Sequence, residues 1–385
     1  MIELQSLLVF FLQILLIGAI LYIIFCADPN SNSILGKLNR LLFRIIPQIY
    51  NKHKFGKLII LVDICVNFFN YLCYTNHPLV QIFYLLISVG GFILYWIYGL
   101  NVHFPNSQVS DIHIVTLPIV AIVSFYTYYL ICAVPPGQIT QQNVKEYVKK
   151  YQPFYDQILY DKKNTCSTCK ILKPARSKHC KICNICVPKF DHHCIWVRQC
   201  VGQNNYKYFL LFIGSHAFFT VYGFIAGAFC IYGIIFDRNL HNAVFTIPGS
   251  NQYYESSWII IIQVLIYFYN INIYILQFIF FKETVFVFMI ILCFIMGLAL
   301  SIFFFYHLSL VKANTTSGEK MKRSCFIEYF ENEIYNLGKN KNESEEKQKE
   351  NNDKIIRYKE NIKIIKNQME TDKNFWKLLK EVFRS

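Results

Sequence analysis

Ten side chains able to bind a metal or act in catalysis fall within residues 166–200, CSTCKILKPARSKHCKICNICVPKFDHHCIWVRQC: seven cysteines and three histidines. Cys166 and Cys169 form one Cys-x-x-Cys pair, and Cys180, Cys183 and Cys186 follow with two residues in each gap. A two-residue gap lets the chain turn so that both thiolates reach one tetrahedral Zn²⁺ at about 2.3 Å. Structural zinc takes four protein ligands, so two Cys₃His sites would use eight of the ten and leave one thiol and one imidazole. A thiol beside an imidazole is the arrangement of an activated nucleophile. In an extended backbone, residues i and i+2 share a face. His192 and Cys194 would then look one way while His193 turns back toward a metal, and Asp191 would orient the His192 imidazole and support its protonated form.

These residues must be positioned by an oily chain. Of 385 residues, 54% are hydrophobic and 16% charged, which excludes an ordinary soluble protein. The apolar residues form runs of about 20 or more, enough to cross a hydrocarbon core of roughly 30 Å as helices. Spans are expected at Leu4–Cys26, Leu79–Leu100, Ile114–Val134, Tyr208–Phe236 and Val285–Leu308. Glu3 and the length of the first run favour a retained helix over a cleaved signal. In 58–74 the polar residues Asp63, Asn67, Asn70 and Tyr74 recur at helical spacing, and Gln263, Asn270 and Gln277 do so within 258–281. Both stretches read as interfacial, the second also as re-entrant.

Lys and Arg crowd residues 37–57, 144–189 and everything after Lys312, whereas the loops between the paired spans are nearly free of them. By the positive-inside rule these basic segments are cytosolic, which gives five spans and a lumenal N-terminus. The net charge of +14 reads as topology and attraction to anionic lipid, not nucleic-acid binding. Reducing cytosol disfavours disulfides among the 14 cysteines, so metal is the better reading of the cluster. The expected fold is an α-helical polytopic membrane protein with a cytosolic two-zinc domain of short β-hairpin knuckles. Its parts are a membrane region 1–134, a cysteine-rich domain 135–207, a second membrane region 208–310 and a cytosolic tail 311–385.

The cysteine-rich segment resembles the domain of the DHHC-type protein S-acyltransferases, or palmitoyltransferases. That family's pattern is Cys-x₂-Cys, nine residues, His-Cys-x₂-Cys-x₂-Cys, four residues, Asp-His-His-Cys, five residues, Cys, four residues, Asn, three residues, Phe. Cys166, Cys169, His179, Cys180, Cys183, Cys186, Asp191, His192, His193, Cys194, Cys200, Asn205 and Phe209 meet it without a gap. The resemblance implies one structural zinc on Cys166, Cys169, His179 and Cys186, and another on Cys180, Cys183, His193 and Cys200. It implies Cys194 as the acyl-accepting nucleophile with Asp191 and His192, fatty acyl-CoA as co-substrate, and membrane-associated proteins with cytosolic cysteines as acceptors, at an endomembrane such as the ER or Golgi.

Departures from the family are local. Ile195 replaces a proline and Arg198-Gln199 two asparagines; Pro135-Pro136-Gly137 lacks the aspartate of Asp-Pro-Gly. Thr315-Thr316-Ser317-Gly318-Glu319 has the threonines of Thr-Thr-x-Glu, with the glutamate one residue late, which makes Thr316 a supporting candidate. Lys189, Arg198 and Lys207 are candidates for CoA phosphates, and Trp196 for a membrane anchor or a lid over the thioester. His216 and His307 read as interfacial residues, and the cysteines outside the cluster as apolar packing. Ile355, Tyr358, Ile362, Ile365 and Met369 run at heptad-like spacing through a tail expected to be partly helical and solvated. The competing class is a zinc-stabilised membrane scaffold without catalysis, which would have no use for the spare Cys–His pair.

Overall fold

A computed structural model describes residues 75–240, 244–246, 253–255, 278–339, 345–367 and 374–384, together with 37, 40, 41, 66–68 and 70–72. The expected span Leu4–Cys26 lies outside the described residues, as do most of 58–74 and most of 258–281.

Among the described residues, four helices are long and apolar enough to cross a membrane. α1 (Leu79–Tyr95) runs on through a wider π turn, Trp96–Leu100, to His103. α2 covers Ile112–Ala133, and the short α3 covers Val144–Lys150. Four three-residue strands follow: β1 (Lys178–Cys180) pairs antiparallel with β2 (Ile185–Val187), and β3 (His192–Cys194) with β4 (Gln199–Val201). α4 (Tyr206–Asp237) leads away from them to a small hairpin, β5 (Val244–Thr246) with β6 (Tyr253–Glu255), and α5 (Thr284–Lys312) returns. The protein is thus mostly helical, with knuckle-like hairpins between its second and third described spans.

The spans expose apolar side chains outward, Leu86, Ile122, Phe218 and Phe305 among them, as a lipid-facing surface requires. Between helices, small residues permit close approach. A Cβ on Gly227 would meet Ile290 of α5 at 2.6 Å, and one on Gly297 would meet Val221 of α4 at 3.0 Å. Far from the cysteine-rich end, Glu283 joins His103 at 2.8 Å and Arg238 at 3.0 Å.

At the cysteine-rich end, Asn205 is fully buried. Its Nδ2 donates to the Cys200 carbonyl at 2.9 Å and to that of Val134 at 3.3 Å, and its Oδ1 accepts from the Gly202 N–H at 2.9 Å. One side chain therefore ties the β3–β4 hairpin to the end of α2 and the start of α4.

The C-terminal region departs from the solvated tail expected above. α6 (Ser317–Lys339) and α7 (Glu345–Asn367) pack on each other. Ile365 is fully buried in a cluster with Leu159 and Phe330, and Tyr358 stacks on Phe330 with ring centroids 5.2 Å apart. The apolar stripe of α7 has a partner, so burial replaces solvation. A last helix, α8 (Phe375–Arg384), buries Leu378 and Val382 against the core beneath Cys194.

Candidate active site

Three turns of one design build the site. After Cys166-x-x-Cys169, Lys170 takes a positive φ of 55°, and after Cys180-x-x-Cys183, Asn184 takes one of 54°. The turn brings the second cysteine's N–H onto the first sulfur, Cys169 to Cys166 at 3.3 Å and Cys183 to Cys180 at 3.4 Å. Cys194-Ile195-Trp196-Val197 follows the same course, with Arg198 at φ 57° and the backbone N–H groups of Val197 and Trp196 among the influences that lower the Cys194 pKa. Val197 stands where a second thiol would be. Cys194 thus opens a turn like those of the two knuckles and belongs to neither ligand group.

The residues that could hold metal fall into two sets, Cys166, Cys169, His179 and Cys186, and Cys180, Cys183, His193 and Cys200, with the candidate ligand atoms of each within 4.8 Å of one another. The His193 Nδ1 lies 3.7, 3.3 and 3.6 Å from the sulfurs of Cys180, Cys183 and Cys200. Nitrogen and sulfur on a tetrahedral zinc are separated by roughly 3.6 Å, so this donor set fits the ion in spacing and softness. The other set is alike, with the His179 Nδ1 at 3.3 Å from Cys169 and 3.8 Å from Cys186. His179 and Cys180 are neighbours on β1 yet serve different sets, which interlocks the two.

Across the β3–β4 register, His193 opposes Cys200 and Cys194 opposes Gln199. Strand alternation puts His192 and Cys194 on the face opposite His193. The His192 Nδ1 meets the Asp191 carboxylate at 2.9 Å, which leaves Nε2 for Cys194. Burial alone would lower the imidazole's pKa; Asp191 and Cys194 outweigh it and raise it to about 10. Burial likewise opposes a Cys194 thiolate, but His192 and the two N–H donors bring the thiol below its ordinary value. Asp191, itself buried, is held below the usual carboxylate range by His192, His307 and Ser317. The arrangement can present a thiolate–imidazolium pair.

Some of what holds Asp191 comes from the far end of the chain and has no local sign in the motif. The Ser317 Oγ donates to Asp191 Oδ1 at 2.7 Å, and the Ser317 N–H bonds the same oxygen. A Cβ on Gly318 would lie 2.7 Å from the Asp191 carbonyl oxygen, so that position admits only glycine without a shift. His307, read above as an interfacial residue, is fully buried with Nδ1 3.9 Å from Asp191 and hydrogen-bonded to the Tyr206 hydroxyl at 3.1 Å.

The glutamate counted one residue late is in register when counted from Thr316. Thr316 and Glu319 form a capping box at the start of α6, the Thr316 N–H on Glu319 Oε2 at 3.0 Å and the Glu319 N–H on the Thr316 hydroxyl at 3.2 Å. The Thr316 hydroxyl then reaches the Phe190 carbonyl at 2.9 Å, beside the site and not in it. Glu319 also makes a bidentate pair with Arg176, at 2.6 and 2.7 Å, both side chains almost wholly buried. Breaking such a pair leaves an uncompensated charge, so Glu319→Ala is expected to cost about 3–5 kcal/mol. The checking measurement is a fall in the thermal unfolding midpoint of detergent-purified protein.

The remaining candidates are dispersed. Lys189 lines a cavity of about 430 Å³ with Lys150, Arg176, Tyr206, Thr316 and Arg384, where burial and the nearby Arg176 push its ammonium down to about 8. Arg198 instead bonds the Asn76 side chain at 2.8 Å, and Lys207 sits 5.4 Å over the Tyr208 ring. These three cations do not converge. Trp196 is 44% exposed, and its carbonyl accepts from the Tyr128 hydroxyl of α2 at 3.0 Å.

Comparison with known proteins agrees with this construction. Residues 159–324 match the family model described as DHHC palmitoyltransferase. The chain is 36% identical over 185 residues to Palmitoyltransferase swf1 of Schizosaccharomyces pombe, covering 47% of this chain and 49% of that protein. It is 30% identical over 205 residues to Palmitoyltransferase ZDHHC4 of Rattus norvegicus, covering 53% and 55%. Against Palmitoyltransferase SWF1 of Saccharomyces cerevisiae it is 48% identical over 71 residues, covering 18% and 21%. The first two matches span about half the length of the relatives concerned. Over residues 159–324 the chain is thus similar to the DHHC palmitoyltransferase family.

Proposed function

We propose that the protein is a protein-cysteine S-palmitoyltransferase that carries the acyl group on Cys194. The observation behind this reading is the Asp191–His192–Cys194 alignment on the strand face opposite His193. In the first step the Cys194 thiolate, its proton held by His192, attacks the thioester carbonyl of palmitoyl-CoA. A new carbon–sulfur bond forms and CoA leaves as a thiol, taking the proton from His192. In the second step a substrate cysteine gives its proton to His192, attacks the Cys194 thioester and frees the enzyme thiol. One thioester replaces another at each step, so no ATP is consumed.

The two ligand sets would hold structural Zn²⁺, which supplies rigidity to the hairpins. The remaining assignments follow from the charge pattern. The cysteine-rich domain 135–207 and the tail 311–385 face the cytosol, between and beyond the membrane regions 1–134 and 208–310. The acceptors are membrane-associated proteins with cytosolic cysteines, and an endomembrane is the proposed location. Because each buried CH₂ contributes about 0.8 kcal/mol, the palmitoyl chain binds best among the helices below Cys194, never leaving hydrocarbon.

The test is incubation of purified protein with palmitoyl-CoA and mapping of any hydroxylamine-sensitive adduct by mass spectrometry. An adduct on Cys194 supports the reading; no adduct on intact protein favours the non-catalytic scaffold. Asp191→Asn keeps the shape but removes the charge that supports the imidazolium. It is expected to slow adduct formation by roughly 10²-fold or more. The measurement is a stopped time course with metal content verified as unchanged.

A further inference from the structure

α8 carries two faces, and packing accounts for one. Phe375, Leu378, Leu379 and Val382 turn inward onto the cluster formed by Tyr206, Val311 and the residues around Cys194. Asn374 caps the helix, its side-chain oxygen accepting from the N–H groups of Trp376 and Lys377 at 3.1 and 3.3 Å. The outer face leaves Trp376 68% and Phe383 43% exposed. These two are seven residues apart, hence on one meridian of the helix, with Lys380 between them. Lys377, Glu381 and Arg384 form the adjoining strip, and the three cations and the one acid are all exposed, which leaves the face net basic.

Position says what meets this face. α8 rests on the first residue of α4, Tyr206, and near the last of α5, Val311, so it lies where two spanning helices leave the hydrocarbon. Exposed Trp and Phe at that depth, rimmed by Lys and Arg, have the pattern of a helix lying in the interface, its rings among acyl chains and its cations at headgroups. A protein partner fits less well. Two rings among three cations fall short of the roughly 800 Å² per side that a stable interface buries.

We propose that α8 docks on the leaflet at the cysteine-rich end, with Trp376 and Phe383 inserted and Lys377, Lys380 and Arg384 bound to anionic headgroups. The same helix supplies Leu378, Glu381, Val382 and Arg384 to the cavity that holds Lys189, so lipid contact would steady one wall of that cavity. The inference uses the membrane placement of the chain and not its acyl transfer.

Full-length protein is reconstituted in nanodiscs of phosphatidylcholine, with or without about 30% phosphatidylserine, a fraction high enough to set a negative surface potential. The Trp376 signal is the difference in emission between the native chain and its Trp376→Phe variant, which removes one of four tryptophans. Lipids brominated in the acyl chain are expected to quench that signal roughly twofold in phosphatidylserine discs. Quenching should weaken in neutral discs, in high salt and in K377Q/K380Q/R384Q protein. Absence of quenching in both kinds of disc overturns the proposal. Quenching indifferent to phosphatidylserine and to the triple substitution overturns the anionic assignment, and protection that appears only as chains per disc increase assigns the face to a second copy instead.

Discussion

A Cys194→Ser protein is expected to keep its fold and full metal content while losing acyl transfer by on the order of 10⁴-fold or more. Serine differs from cysteine by one atom, and Cys194 stands outside both ligand sets, so the hairpin carrying it should persist. What changes is ionisation. His192 and the Trp196 and Val197 N–H groups favour the Cys194 thiolate, whereas an alcohol remains protonated under the same influences. Any serine that did accept palmitate would hold it as an oxyester, from which transfer to a thiol is uphill. The check has two arms: metal analysis and thermal unfolding unchanged from the native chain, and no hydroxylamine-sensitive label in the peptide containing residue 194. A label that persists there would move the acceptor to another residue and overturn the assignment.

The site was legible in proportion to how local its chemistry is. Zinc coordination demands short gaps, so room for two four-ligand sites with a spare thiol and imidazole could be read within 35 residues, the sorting of ligands between the sites came from the family resemblance, and the alternation of His192, His193 and Cys194 followed from an extended backbone. Ser317 was not legible, because its bond to Asp191 spans 126 residues and serine after a helix cap is commonplace. A signal did exist: Thr316-x-x-Glu319 is a capping box, and counting the motif from Thr316 places Ser317 against Asp191. His307 had none, since a histidine near the end of a span is compatible with interface or core until the neighbouring helix is known. The four described spans were plain from their hydropathy, with boundaries within a few residues. By contrast, the stripe on α7 was visible but its partners were not, because Leu159 and Phe330 come from separate segments.

Loss of zinc from the set containing His193 should be as damaging as loss of the Cys194 thiol, by a different route. Structural zinc in small modules contributes an apparent ~10–16 kcal/mol at neutral pH, comparable to the entire stability of a domain. The β1–β2 and β3–β4 hairpins have strands of three residues each, too short to hold themselves in water. Cys200→Ser removes the ligand directly across from His193, which frees the strand that presents His192 and Cys194 to sway. Because His179 and Cys180 are adjacent and serve different sets, strain at one set reaches the other through a single peptide bond. The expected result is purified Cys200→Ser protein with less than the native zinc content, rapid proteolysis within 135–207, and no acyl adduct. Cys166→Ser, at the set farther from Cys194 in sequence, should lower zinc content as much but retain more labelling. Chelation of the native protein should reproduce the Cys200→Ser behaviour, and added zinc should restore labelling to the native chain alone. If labelling survives complete removal of zinc, the hairpin holds its geometry without metal, and the structural role assigned to these ligands fails.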